Sequence, residues 1–216
     1  MITHILFDLD NTLYSARFAL EEATSRRIRA FTSEWLGVSP EEASAMRRAA
    51  MKNYGTTAEW LAAEKGLKDI SAYYRIVHPE DEADSLFPDP ALRPFLESLP
   101  CPLAILTNSP LFHARRILGK LGIEDLFFRI FDIEESGFRG KPRPESYRHA
   151  LDVLGAEPGT VLFVDDAPGY VEGYLALEKD AKGVLFDESG LYPDYPGERI
   201  GRLEELRTYL APPVVH

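Results

Sequence analysis

Residues 4–14 read His-Ile-Leu-Phe-Asp-Leu-Asp-Asn-Thr-Leu-Tyr, an apolar run that drives into two aspartates, Asp8 and Asp10, one leucine apart. A short continuous apolar run suits a strand covered on both faces. In a strand, residues two apart leave on the same side, so both carboxylates point one way. If the strand belongs to an open parallel sheet, its carboxyl end is where such sheets place ligands. The alternative is that one or both aspartates simply cap the following turn.

Four further runs share this character: residues 102–107, 129–132, 160–165 and 183–187, each ending in polar residues. Helical patterns lie between them. Ser109-Pro110 reads as an N-cap and first helical residue, with Leu111, Ala114, Leu118 and Leu121 on one face and Gly122 as terminator. Pro144 opens a second helix with Tyr147, Ala150, Leu151 and Leu154 inward and Gly155 closing it. Strand–helix alternation predicts right-handed βαβ units, hence an α/β doubly wound, Rossmann-like parallel sheet of about five strands.

The alternation breaks between Ser15 and Leu86. Leu20, Thr24, Ile28, Phe31 and Trp35 recur at helical spacing, and Ser39 to Glu42 and Thr56 to Glu59 are capping boxes. This predicts an all-helical insert over 15–86, with the core formed by 1–14 and 87–216. Asp89 is expected to cap a helix ending near Leu99, residues 190–198 to form a loop, and 202–210 a terminal helix.

The net charge of −11 argues against a nucleic acid polymer as partner. It permits a small anionic ligand, because one metal ion and a cation in a cleft reverse the local field. No apolar run approaches the roughly 20 residues of a membrane span. Asp8 and Asp10 interrupt any secretory signal at the start. The single Cys101 permits no intrachain disulfide. A cytoplasmic protein without membrane partners is the expectation.

Val164-Asp165-Asp166 places a second acidic pair at a strand end, before Pro168-Gly169 opens a helix. Like charges so gathered repel, and a Mg²⁺ ion, which takes oxygen ligands and keeps waters for a phosphate, would resolve the conflict. Thr107-Asn108-Ser109 puts hydroxyl and amide donors at a helix N-terminus, an arrangement that cradles anions, although Ser109 as a plain cap explains much of it. Lys141 stands on a loop fixed by Pro142 and Pro144 that is no Walker A loop. Its other reading is a solvated surface lysine. None of His4, His78, His113, His149 or His216 stands in a metal-ligand spacing, and Cys101 reads as a small apolar residue rather than a nucleophile.

In this order, DLDNT at 8–12, TNS at 107–109, GKP at 140–142 and VDD at 164–166 resemble the four motifs of the haloacid dehalogenase-like superfamily. The insert resembles that superfamily's C1 cap, and FDLDNTLY, NYG at 53–55 and GKPRPESY are similar to its pyrimidine 5′-nucleotidase branch. The resemblance implies a phosphomonoester hydrolase. Asp8 would attack phosphorus, and Asp10 would serve as acid and then base. Thr107 and Asn108 would bind the phosphoryl group, with Lys141 offsetting charge. Mg²⁺ would be held by Asp8, the Asp10 backbone carbonyl and Asp166, with Asp165 a direct or water-mediated ligand. A haloacid dehalogenase-type reaction does not need the second aspartate, so Asp10 disfavours it. Tyr170 departs from the pattern, since related fourth motifs often carry Asn or Asp there.

The implied substrate is a small phosphorylated metabolite, foremost a nucleoside 5′-monophosphate. Other phosphate esters such as sugar phosphates or phosphoglycolate, phosphomutase chemistry and a catalytically silent binding protein stay open. Tyr54 and Trp60 are candidates to stack on a base or to form cap core, and Arg47 or Asn53 to contact its polar edge. A monomer or homodimer is expected.

Overall fold

The computed structural model describes residues 1–210. The chain opens with strand β1 (His4–Phe7). Four helices follow: α1 (Leu20–Leu36), α2 (Pro40–Ala50), α3 (Thr57–Glu64) and α4 (Ile70–Val77). The remainder is α5 (Leu92–Glu97), β2 (Leu103–Leu106), α6 (Leu111–Leu121), β3 (Phe127–Phe131), α7 (Pro144–Leu154), β4 (Val161–Asp165), α8 (Pro168–Leu175), β5 (Lys182–Phe186), β6 (Arg199–Ile200) and α9 (Arg207–Leu210).

The strands form one parallel sheet in the order β3-β2-β1-β4-β5-β6. The sixth strand exceeds the expected five: β6 is two residues long, too short for a periodic signal, and pairs Phe186 with Ile200. β1 is central. Ile5 and Phe7 pack into the core on one face with Ile105, Leu162 and Val164, whereas Leu6 joins Leu106, Phe131, Tyr147, Phe163 and Tyr174 on the other. Both faces being buried explains why β1 reads as an unbroken apolar run. Because the sheet grows in both directions from β1, its carboxyl end opens onto the crevice where the connections diverge.

The insert carries the four helices α1 to α4 between Leu20 and Val77. Ser39 and Thr56 cap α2 and α3 by accepting from Glu42 N and Glu59 N, at 3.2 and 3.1 Å. Its own core gathers Ala58, Trp60, Leu61, Leu67, Tyr73, Tyr74 and Val77, together with Ile133 from the sheet domain.

Three local expectations shift. The N-cap of α6 is Pro110, not Ser109, and the cap is supplied from outside, since Asp132 Oδ2 accepts from Leu111 N at 2.9 Å. Asp89 closes a turn onto Ala91 N, and α5 starts one residue later with Ala91 as N-cap. The stretch 202–210 divides into a 3₁₀ turn, Leu203–Leu206, and α9. The core boundary drawn to 216 includes residues 211–216, which lie outside the described residues. Among the described residues, no helix is long and apolar enough to cross a membrane.

Candidate active site

Asp8 follows β1 directly, its N–H donating to Val164 O at 2.8 Å, so the first and fourth strands deliver their acids to one place. Lys141 is fully buried between them: Nζ donates to Asp8 Oδ1 and to Asp165 Oδ2, each at 2.6 Å. Burial alone would depress its pKa, but the two carboxylates reverse this and raise it. Asp165 Oδ1 also accepts from Ala167 N at 2.9 Å, so both its oxygens are engaged.

Asp8, Asp165 and Asp166 each bring a carboxylate oxygen within 4.8 Å of the others. Burial pushes the carboxyl of Asp8 well up, with Lys141 opposing and Asp165 and Asp166 adding to the rise. Asp166 is pushed up to about 7 by burial, then by Asp165 and Glu21. An all-oxygen donor set in which anions raise one another can hold a hard cation, and the set fits Mg²⁺. The carboxylate of Asp10 lies outside this group.

The second motif is built differently from its sequence reading. Thr107 Oγ1 accepts from Ser109 N at 3.0 Å, which leaves its hydroxyl proton to donate. Asn108 turns its side chain inward: Oδ1 accepts from Lys141 N at 2.7 Å and Nδ2 donates to Lys141 O at 2.9 Å. It therefore fixes the Lys141 backbone and has its own N–H to offer an anion. Gly140 permits this clamp, since a Cβ there would lie 2.3 Å from Asn108 Oδ1. Tyr170 Oη accepts from Asn108 Nδ2 at 3.3 Å, and its ring lies 5.1 Å from Lys141 Nζ. It thus walls the lysine rather than extending the metal shell.

Asp10 belongs to a separate network that residue spacing did not reveal. Its Oδ1 accepts from Tyr14 Oη at 2.6 Å and pairs with His113 Nε2 at 2.8 Å, while Oδ2 accepts from Ser109 Oγ at 2.9 Å. His113 Nδ1 faces Glu82 Oε1 at 2.8 Å. With a carboxylate at each nitrogen, both donate, and the imidazole pKa is pushed up to about 9 despite burial. Glu82 also meets His78 Nδ1 at 2.9 Å and pairs with Arg116. His113 lies one turn into α6 and its partner Glu82 lies 31 residues away, so only the fold shows the pairing. The cluster His78, Glu82 and His113 has metal-ligand proportions, but its charges are already matched internally.

Above these groups lies a cleft of about 570 Å³ lined by Asp8, Asp10, Thr107, Asn108 and Asp166 below and by Ile28, Arg47, Tyr54, Thr56, Tyr73 and Tyr74 from the insert. Tyr54 lines it, half-buried, with its hydroxyl held by Glu64 at 2.8 Å. Trp60 does not; it is buried in the insert's core. The insert grips the lysine loop through Arg143, which pairs with Glu59 at 2.8 Å and donates to Asn53 O at 2.6 Å. Asn53 thereby contributes its backbone to docking.

A family model described as haloacid dehalogenase-like hydrolase matches residues 2–173. Hexitol phosphatase A of Escherichia coli (strain K12) is 32% identical over 178 residues, covering 79% of this chain and 77% of the relative. A phosphoglycolate phosphatase of Neisseria gonorrhoeae is 29% identical, covering 96% and 93%. Among solved structures, a haloacid dehalogenase-type phosphatase of Thermococcus onnurineus superposes with a TM-score of 0.65 at 22% identity, covering 97% of this chain and 98% of that one. The last likeness concerns the fold.

Proposed function

Because the chain belongs to the haloacid dehalogenase-like hydrolases, we propose that it is a Mg²⁺-dependent phosphomonoester hydrolase working through an aspartyl-phosphate. One observation carries the reading: the two aspartates of DLD are held by different networks. Asp8 is tied to the buried Lys141 and its neighbours Asp165 and Asp166, and Asp10 to Ser109, Tyr14 and His113. Two carboxylates in separate environments take separate jobs.

Asp8 Oδ1 is held by Lys141, while Oδ2 has the Thr12 hydroxyl at 3.5 Å and is the oxygen available to attack phosphorus. The bond from Oδ2 to phosphorus forms as the ester bond breaks; Asp10, held ionised by its donors, relays to the leaving oxygen a proton drawn from the His113 imidazolium, which recovers it in the second step. Asp10 then takes a proton from the water that attacks the phosphoryl group, which regenerates Asp8 and releases inorganic phosphate. Lys141 offsets charge on the nucleophile and phosphoryl oxygens, with Asp165 holding it in place. Thr107 Oγ–H and the Asn108 N–H donate to the phosphoryl group. Asp8, Asp166, the Asp10 carbonyl and Asp165, directly or through water, would hold Mg²⁺, which would supply Lewis-acid stabilisation of the phosphoryl charge.

Residues 15–86 act as a cap that excludes water from the cleft. The favoured substrate is a nucleoside 5′-monophosphate, supported by the Tyr54 ring fixed at the cleft wall. A second reading, a small polyol or hydroxy-acid phosphate, is favoured by the activities for which the two relatives above are named. Phosphate release from nucleotides, hexitol phosphates and 2-phosphoglycolate, with and without Mg²⁺, tests both. The nucleotide reading fails if the other esters exceed every nucleotide in kcat/KM. Wild-type turnover by Asp8→Asn refutes the mechanism, and no release from any ester by folded protein refutes the phosphatase reading.

A further inference from the structure

The cap side of the cleft carries, among the described residues, a buried hydroxyl without a hydrogen-bond partner and a cation without a paired carboxylate. Tyr74, on α4, is buried, and among the described residues its hydroxyl is the buried side-chain polar atom without a hydrogen-bond partner. Arg47, on α2, is half-buried and lines the same cleft. Its Nε donates to Thr57 Oγ1 at 2.7 Å, which orients the guanidinium. Among the described residues no carboxylate pairs with it, in contrast to Arg27, Arg116 and Arg143, which all do. Burial pushes the Tyr73 phenol up, and the charge of Arg47 opposes that rise. A buried phenol without a partner costs free energy, and a native fold that retains one beside a cleft calls for a bonding group from outside.

The charge pattern of the cleft says what that group is. Its floor is acidic, with Asp8, Asp10 and Asp166, and Glu21 at the near edge. A guanidinium is a donor at every polar atom, and its bonds to anionic or strongly polarised oxygens exceed those to hydroxyls. We propose that Arg47 and Tyr74, with Thr57 orienting the arginine, form a subsite for an acceptor oxygen at the end of the leaving group remote from phosphorus. The shared chemistry is a carboxylate or a ring carbonyl of a pyrimidine base. The proposal rests on the phosphatase reading only in placing the phosphoryl end at Asp8. It makes the cap a selector for acceptor-bearing leaving groups over neutral polyols.

The test is binding to the Asp8→Asn protein in the presence of Mg²⁺, by calorimetry, so that turnover does not enter. The probes are 2-phosphoglycolate, uridine 5′-monophosphate and a hexitol phosphate. Arg47→Gln is expected to raise Kd about tenfold for 2-phosphoglycolate or for the nucleotide, and Tyr74→Phe several-fold, with the hexitol phosphate changing less than about twofold. Which acceptor-bearing ester responds identifies the source of the oxygen. Tyr74→Phe removes an unpartnered hydroxyl, so the ligand-free protein should melt no lower than its parent, whereas a structural role for that hydroxyl would lower the melting point. Equal weakening of all three probes, or no weakening of either acceptor-bearing one, overturns the subsite. Phosphate release by the enzyme with Asp8 intact, alongside flat Kd values, would keep the phosphatase and remove the subsite. The expected Kd pattern without phosphate release would do the reverse.

Discussion

Glu82→Gln removes one charge and keeps the shape of a side chain that is 2% exposed. The carboxylate lies in the connection from α4 to α5 and joins three parts of the molecule. Oε1 takes His113 and Arg116 from α6, Oε2 takes His78 at 2.9 Å, and Arg27 of α1 approaches to 3.8 Å. A glutamine has one accepting oxygen, so its amide must point N–H groups at a donor that the carboxylate had satisfied. Removing one partner from a buried charge cluster costs about 3–5 kcal/mol, because the others stay buried and unmatched. The carboxyl is itself held down from 4.5 to about 2, chiefly by hydrogen bonds from His113 and His78 against the opposing pull of burial. That shift corresponds to about 3 kcal/mol of stability at neutral pH.

Urea denaturation of the two proteins at neutral pH should therefore differ by about 3 kcal/mol, and melting temperatures by about 6–12 °C for a chain of this size. The folded pKa of Glu82 is depressed, so its contribution is present above 4.5 and is lost as pH falls toward about 2. The gap between the proteins should be constant from pH 7 to 5 and narrow below that. High salt should leave it nearly intact, since buried pairs are weakly screened. A gap under about 1 kcal/mol at neutral pH, or one that collapses in salt, would refute the charge-hub reasoning.

Gly55→Ala would place a Cβ 2.6 Å from the Gly140 carbonyl oxygen, where the insert meets the lysine loop. Backbone cannot yield there cheaply, so stability should fall by about 1–3 kcal/mol, with a matching loss of kcat, checked by denaturation and steady-state kinetics. Trp60→Ala should cost about 3–5 kcal/mol by emptying the insert's core. Tyr54→Ala should stay within about 1 kcal/mol of wild type yet raise KM, separating the platform from the core residue. Mg²⁺ at about 100 times its Kd should raise stability by about 2.7 kcal/mol, and Asp166→Asn should abolish most of the rise in a thermal-shift titration.

The legible part of this molecule is the part written in continuous patterns. β1 and β4 are apolar on both faces, so their runs and the acids that end them could be read directly, as could the capping boxes of α2 and α3. Strand-ending acids alone would have misled, however. Asp132 and Asp187 also close strands, yet Asp132 accepts from Leu111 N and Glu135 N, and Asp187 from Leu191 N, Tyr192 N and Arg199. Both stabilise turns at sheet positions flanking the site. What separates them from Asp8 and Asp165 is a buried lysine delivered by a loop far along the chain.

The Asp10 network was illegible for a physical reason of the same kind. Ser109 carries the sequence signature of a helix cap, but Asp132 does that work from β3 and releases the Ser109 hydroxyl to reach Asp10. His113 falls on the inward face of α6 beside Ala114 and Ile117, where spacing marks it as core. Its function depends on Glu82, which arrives from the connection out of the insert. An imidazole buried between two carboxylates from different elements leaves no spacing in sequence. It is detectable only once α6 packs on the sheet against β3 and that connection closes against it. The residues proposed to bond phosphate and metal therefore stand in readable motifs, while those that hold the second aspartate are assembled from side chains whose local readings were ordinary.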